Sequence, residues 1–140
     1  MIRYGVGAIA ALMITGAAPA AELSPIDIVN RHIAAVARSD VQAMMADYAD
    51  DAVVLQATQA RQGKAVIRAL LNRMFPRPVP GAPPTGTAAM KIIRTWQDGD
   101  VGFFNWQLGS VSGTDEFLVR HGKIEVQAVF LGTAPQTPPR

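Results

Sequence analysis

The apolar residues in the first half of the chain are spaced as in amphipathic helices. Ser24 is a typical N-cap, Pro25 suits the first helical position, and the apolar stripe that follows continues to about Arg38. The stripe consists of Ile26, Val29, Ile33 and Val36. His32 falls inside it, so the first predicted helix turns an imidazole towards the core.

Two further helices are predicted before residue 75. Asp40 can cap a short helix that ends at Tyr48, and Gly63 precedes a longer one. Their apolar faces are formed by Val41, Met44, Met45 and Tyr48, and by Val66, Ile67, Leu70, Leu71 and Met74. Between these helices the Asp50-Asp51 pair should end the helical pattern, before a short β-prone run at 52–55 and a polar loop.

The second half alternates β-prone runs with turn residues. The predicted strands are 88–97, 101–108, 114–120 and 123–133, with turns at 98–100, 109–113 and 121–122. Helices followed by three consecutive hairpins indicate an α+β fold. In this fold a curved, mostly antiparallel sheet wraps around three N-terminal helices, and a pocket is expected between the two layers.

Two segments are predicted to lack regular structure. The Pro-rich segment 76–86 carries proline at positions 76, 78, 80, 83 and 84, which excludes a helix and most strand pairing. It is interpreted either as a surface connector or as a gate over a pocket. Residues 135–140 are polar and Pro-rich, and are expected to form a disordered tail.

The N-terminus has the pattern of a secretory signal. Arg3 precedes an apolar run over residues 5–14, and the Ala18-Pro19-Ala20 sequence fits a signal peptidase site. We therefore predict a signal peptide at 1–21, a domain at 22–134, and a periplasmic or secreted protein. After cleavage no membrane contact is expected, whereas an uncleaved segment would act as an anchor.

Composition narrows the class of protein. The chain has 140 residues, is 49% hydrophobic and has no cysteine, which fits one small domain without disulfide bonds. Its formal charge of +2 gives no basic footprint for nucleic acid. Two histidines in different settings do not form a metal-site spacing, so neither a metal nor a cofactor is expected.

Short segments across most of the chain resemble one superfamily. These segments are 28–36, 39–41, 49–53, 63–68, 113–117 and 120–124. In order and spacing they resemble nuclear transport factor 2-like proteins, particularly the SnoaL-like and ketosteroid-isomerase-like branches. The resemblance implies a cone in which three helices close a strongly bent sheet around a deep cavity. Such cones include isomerases, dehydratases, hydrolases and cyclases, as well as scaffolds without activity.

The resemblance also marks three positions in the cavity. A ketosteroid isomerase uses an aspartate as base, with a tyrosine and a protonated aspartic acid at the oxyanion. Here the place of the tyrosine is taken by His32, that of the base by Gln56 and that of the acid by Asp115. Gln56 cannot act as a base, which argues against steroid isomerisation, although its amide can bond a carbonyl group.

Asp115 and His32 are the predicted catalytic pair. Asp115 shares strand parity with Phe117 and Val119, which places its carboxyl group on the apolar face, where its pKa should be tuned. The alternative is that it caps a strand end. For His32, which as an imidazole can exchange protons with a ligand, the alternative is a core imidazole bonded to a backbone carbonyl.

Further residues are predicted to line the pocket. Asn105 shares parity with Val101 and Phe103, so its amide should turn inwards if they do. Tyr48 can present its hydroxyl group to the cavity or simply pack in the core. The full set of predicted ligand-binding residues is Gln56, Tyr48, Trp96, Asn105, Trp106, Phe117, Gln127 and Phe130. The aromatic residues in this set suit a core wall and an apolar pocket equally well.

Two functional hypotheses follow. In the first, the domain binds a small apolar molecule in the cavity, and in its enzymatic form converts it by acid–base chemistry at Asp115 and His32. In the second, the domain is a non-catalytic scaffold that binds a partner protein or a second copy. The resemblance favours a homodimer formed through the sheet.

Overall fold

The computed structural model describes residues 21–76 and 90–133. The predicted signal peptide up to residue 20, the Pro-rich segment from 77 and the tail lie outside these residues. Within the two described ranges no helix is long and apolar enough to cross a membrane. The elements in chain order are α1 (Pro25–Ala37), α2 (Val41–Asp47), β1 (Tyr48–Gln56), β2 (Gln59–Gln62), α3 (Lys64–Met74), β3 (Lys91–Asp98), β4 (Val101–Leu108), β5 (Val111–Arg120) and β6 (Lys123–Thr133).

The helices begin where the capping residues predict. Ser24 and Asp27 form a capping box at the start of α1, in which each side chain accepts a hydrogen bond from the other residue's backbone N–H at 3.3 Å. The side chain of Asp40 accepts from the backbone N–H of Ala43 at 3.0 Å and caps α2. His32 is buried in the inward face of α1, as the stripe predicts.

The strands form one sheet in the order β2-β1-β6-β5-β4-β3. Every neighbouring pair is antiparallel except β1 and β6, which run parallel. The sheet is curved and unclosed, and the helices cover its concave face, which confirms the predicted α+β cone. The core between these layers includes Ile28, Val29, Met44, Met45, Ile67, Leu71, Phe104, Phe117 and Ile124.

A glycine on β4 allows helix α1 to approach the sheet closely. A Cβ atom at Gly102 would lie 2.7 Å from Cγ2 of Val29 and 2.8 Å from the carbonyl oxygen of Pro25. Both distances are shorter than side chains tolerate without a shift of the backbone. Because Gly102 has no side chain, the start of α1 can pack directly on β4, and the helical turn with His32 is positioned accordingly.

The structure corrects several predicted boundaries and adds one strand. Tyr48 starts β1 and does not end α2, and the Asp50-Asp51 pair lies inside that strand. Both aspartates are exposed beside a register shift, so their polarity does not oppose strand formation. The expected polar loop contains β2, an edge strand held by backbone pairing without an apolar pattern. The turn at 109–113 is shorter, since β5 already begins at Val111, and β3 begins at Lys91.

Candidate functional site

A cavity of about 130 Å³ lies between α1, α3 and the concave face of the sheet. Its polar lining consists of His32, Gln56, Trp106, Asp115 and Gln127. The remaining walls are apolar and are formed by Val36, Val54, Leu70, Leu71, Met74, Phe75, Met90, Phe104, Leu108 and Val129. Few polar groups in an apolar pocket are typical of a small-molecule site.

The Asp115 carboxyl group is held by two hydrogen bonds. Nε1 of Trp106 donates to Oδ1 at 2.8 Å, and Nε2 of Gln127 donates to Oδ2 at 2.6 Å. Burial raises the pKa of Asp115, against the opposite effects of the hydrogen bonds from Trp106 and Gln127 and of the positive charge that His32 carries in its protonated form. The carboxyl group is thus fixed in position while its protonated form is favoured relative to an aspartate in water.

Gly113 makes room for the indole that bonds this carboxyl group. Gly113 pairs with Trp106 across β4 and β5, and a Cβ atom there would lie 2.3 Å from the indole ring. Any side chain would therefore displace the ring from its place beside Asp115. The glycine determines where the Nε1 donor lies.

Tyr48 determines how the Gln127 amide is turned. The buried Tyr48 hydroxyl group donates a hydrogen bond to Oε1 of Gln127. Burial, and then the negative charges of Asp115 and Asp47, raise the pKa of Tyr48 well above its usual value. The hydroxyl group therefore stays protonated and donates to the oxygen of the Gln127 amide, whose nitrogen donates to Asp115.

His32 contacts a buried carboxylate that the sequence analysis missed. Nδ1 of His32 lies 3.1 Å from Oδ2 of Asp47, and Nε of Arg31 donates to Oδ1 of the same carboxylate at 2.6 Å. Asp47 is 0% exposed. It lies three residues after Met44 in α2, so helical spacing alone could have placed it on the inward face. The expected alternative for His32, a bond to a backbone carbonyl, is replaced by this side-chain pair.

The imidazole of His32 is packed on two further sides. The ring of Phe117 meets it edge to face at a centroid distance of 5.0 Å, and the ring of Tyr48 at 5.6 Å. Phe117 and Tyr48 are fully buried behind the cavity wall rather than exposed in it. They support the cavity residues, and neither presents its ring to a ligand.

Three predicted pocket residues lie elsewhere. Trp96 stacks on Phe103 at 4.8 Å, and Nδ2 of Asn105 donates to Oγ1 of Thr114 at 2.6 Å. Phe130 is 57% exposed and is paired with the same threonine. All three residues belong to the other face of the sheet, since successive side chains alternate and Asp115 takes the concave face. The condition stated for Asn105 is not met, because its parity partner Phe103 faces outwards.

No group of three or more histidine, cysteine, aspartate or glutamate side chains in the described part of the chain could hold a metal ion. The cavity instead combines one imidazole, one carboxyl group and two amides within apolar walls. These groups can hydrogen-bond a polar atom of a ligand and exchange a proton with it.

Residues 29–127 match the family model of the SnoaL-like domain. The chain belongs to the SnoaL-like domain family. Among the described residues that line the cavity, the match includes all except Val129, and it confirms the resemblance found in the sequence. No curated protein matches the chain significantly.

Solved structures share the fold of the SnoaL-like domain at low identity. An NTF-2 like protein of unknown function from Burkholderia xenovorans LB400 has a TM-score of 0.63 and 19% identity, covering 80% of this chain and 85% of its own. A candidate ketosteroid isomerase from Kribbella flavida DSM 17836 has a TM-score of 0.58 and 18% identity, covering 81% of both chains. A candidate polyketide cyclase from Sinorhizobium meliloti has a TM-score of 0.55 and 23% identity, covering 74% of this chain and 94% of its own. These similarities establish the fold alone.

Proposed function

We propose that this SnoaL-like domain binds a small, mostly apolar carbonyl compound and moves a proton on it. The proposal rests on one observation, namely that His32 and Asp115 line the same cavity. Among the described residues, these two are the ionisable side chains of the cavity lining. Each is buried, and each is held by side-chain hydrogen bonds. A fixed acid and a fixed base on one apolar cavity suit proton transfer.

The size of the cavity supports a small ligand. Its volume of about 130 Å³ is below the range of roughly 300–1,000 Å³ that is usual for drug-sized ligands. A cavity of about 150 Å³ is known to accept benzene. A monocyclic ketone is therefore a better candidate than a steroid, in agreement with the loss of the base at the position of Gln56.

The environment of each group suggests its role. A raised pKa favours the protonated carboxyl group of Asp115, which can donate a hydrogen bond to a carbonyl oxygen. His32 then removes a proton from the neighbouring carbon atom and returns it to another carbon atom of the ligand.

The proposal is tested with cyclohex-3-enone, a ketone of suitable size, and its conversion to cyclohex-2-enone is followed by ultraviolet absorbance. The wild-type domain should accelerate the reaction, and Asp115→Asn and His32→Gln should each reduce the rate by about 10²–10⁴-fold. Asp50→Asn, which changes an exposed aspartate, serves as the control. If the wild-type domain neither binds nor converts this ketone, the proposal that it acts on monocyclic enones is refuted.

A second proposal concerns the end of the sheet at which β3 and β5 begin and β6 ends. Large apolar side chains are exposed there on β3, β5 and β6: Ile93, Val111, Phe130 and Leu131. We propose that a second copy of the chain covers them, since exposed apolar groups of this kind mark interfaces. Sedimentation should give a dimer that Leu131→Lys weakens, and a monomeric wild type at high concentration would contradict this. A protein that dimerises but converts no ketone would fit the scaffold hypothesis instead.

We further propose that the protein is exported and processed near residue 21. The support is the Arg3, apolar and Ala-Pro-Ala pattern of the N-terminus. The mass of the protein recovered from the periplasm or medium tests the cleavage. A chain retained in the membrane with residues 1–21 intact would favour the anchor.

A further inference from the structure

Asp47 is the buried ionisable group that the proposed proton transfer leaves unexplained. It is fully buried at the C-terminal end of α2, and both of its carboxyl oxygens are engaged. We infer that Asp47, held by Arg31, is a positioning residue that keeps the proton of His32 on Nδ1 and leaves the Nε2 lone pair for the ligand. The inference rests on the proposed function, because there His32 acts as the base.

The hydrogen bonds determine which ring nitrogen carries the proton. Nε of Arg31 is a permanent donor and donates to Oδ1 of Asp47 at 2.6 Å, which pairs this carboxylate with a cation. Nδ1 of His32, 3.1 Å from the other oxygen, must then be the donor. A neutral imidazole with a proton on Nδ1 has its lone pair on Nε2.

The packing of the ring directs that lone pair into the cavity. Asp47 lies on the Nδ1 side, while Phe117 and Tyr48 contact the ring edge to face. His32 is nevertheless part of the cavity lining, and Nε2 has no hydrogen-bond partner among the described residues. The nitrogen opposite the Asp47 bond is thus the one that a ligand can reach.

The charged and titratable groups around His32 come from four elements. Arg31 lies beside it on α1, Asp47 on α2, Tyr48 on β1 and Asp115 on β5. Of these, Asp47 contacts the ring nitrogen directly, so it compensates the charge of the imidazolium most closely. Arg31, which is 44% exposed, balances Asp47 before the proton arrives.

The proton transfer is balanced without a co-reactant. The C–H bond next to the carbonyl group breaks, its proton forms an N–H bond at Nε2, and its electron pair moves towards the carbonyl oxygen. The imidazolium then returns the proton to another carbon atom, and the electron pair forms the new C–H bond there. Asp47 stays ionised throughout, as the orienting carboxylate of a catalytic triad does.

The test reads the proton positions directly by NMR, with ¹⁵N-labelled histidine in the full chain. Long-range ¹H–¹⁵N correlation, recorded at a pH at which the spectrum shows a neutral imidazole, should show His32 protonated at Nδ1 and unprotonated at Nε2. The other histidine, His121, is 84% exposed and provides the internal reference. A wild-type His32 that carries its proton on Nε2 overturns the inference, whatever the protein does to any ketone.

Asp47→Asn should reverse this tautomer, because the amide can donate to Nδ1 where the carboxylate could only accept. If cyclohex-3-enone is converted, this variant should lower kcat by at least about 100-fold, as a wrong tautomer does in a triad. Binding of the ketone should be unchanged. Asp50→Asn should change neither the tautomer of His32 nor kcat. If Asp47→Asn is folded and the tautomer is unchanged, the inference is overturned.

Arg31→Gln provides a second variant in case Asp47→Asn does not fold. It should keep the Nδ1 proton but expose it to several-fold faster exchange with water, because Asp47 loses its outer partner. Unchanged exchange would overturn the part assigned to Arg31. A His32 with the expected tautomer in a protein that converts no ketone would contradict the proposed function and leave the positioning intact.

Discussion

The hydrogen bond from Tyr48 to Gln127 connects the core to the cavity, and Tyr48→Phe removes it while keeping the aromatic ring. In the wild type the hydroxyl group is the donor for Oε1 of Gln127, and both residues are buried. Flipping the amide would not compensate, because whichever of its polar atoms faces the phenylalanine ring has no partner there. Tyr48→Phe therefore leaves a buried acceptor without a partner.

The expected cost follows from that unpaired acceptor. A buried polar group that loses its partner costs about 1–3 kcal/mol. For a domain of this size each kcal/mol lowers Tm by about 4 °C. The ring contact between Tyr48 and His32 should persist, since the hydroxyl group does not take part in it. Urea denaturation followed by tryptophan fluorescence measures the change in the free energy of unfolding.

A double-mutant cycle with Gln127→Leu isolates this hydrogen bond. In the Gln127→Leu background no acceptor remains, so Tyr48→Phe should cost almost nothing there. The coupling free energy should lie at about 1–3 kcal/mol, within the range observed for contacting residues. An equal cost of Tyr48→Phe in both backgrounds would refute the reasoning, because the loss would then come from the ring and not from the bond.

Three further predictions concern the cavity. Trp106→Phe removes a donor to the carboxylate, so the pKa of Asp115 should rise further in a ¹³C carboxyl titration, whereas Trp96→Phe on the outer face should leave it unchanged. Since burial raises the pKa of Asp115 in the folded state, its contribution to stability is fully present at pH values below its unfolded pKa and is lost as pH rises through the folded pKa. In chemical-denaturation experiments at a series of pH values, Asp115→Asn should abolish the part of the decrease in the free energy of unfolding that Asp115 causes. An unchanged dependence of this free energy on pH would contradict the assignment to Asp115. Gly113→Ala should destabilise the domain by about 1–3 kcal/mol by displacing the indole, while Gly132→Ala, whose Cβ meets only Oγ of Ser112 at 3.6 Å, should be tolerated.

Two hydrogen-bonded groups of side chains lie beside the cavity, and both contact the buried residue Tyr48. One group runs from Tyr48 through Gln127 to Asp115, and the other joins His32 to Asp47. Tyr48 contacts both, through its hydroxyl group and through the edge of its ring. Substitutions in either group should therefore be compared in pairs, since their effects are not expected to add.

The local features of this domain could be predicted from the sequence because their causes are local. A capping residue and an apolar stripe specify α1, and His121-Gly122 forms the predicted hairpin turn with positive φ at both residues. Asp115 shares the buried face with Phe117 because side chains alternate along any strand. These rules gave His32 and Asp115 as inward residues before any contact was known.

The tertiary structure alone decided which partners these residues meet. Asp47 binds His32 only because α2 packs against α1, and β2 forms only because its polar residues pair with β1. Trp96 faces outwards because the helices cover the opposite face of the sheet, a choice that alternation leaves open. Spacing along the chain determines which side chains share a face, whereas the packing of distant elements determines which face becomes the cavity.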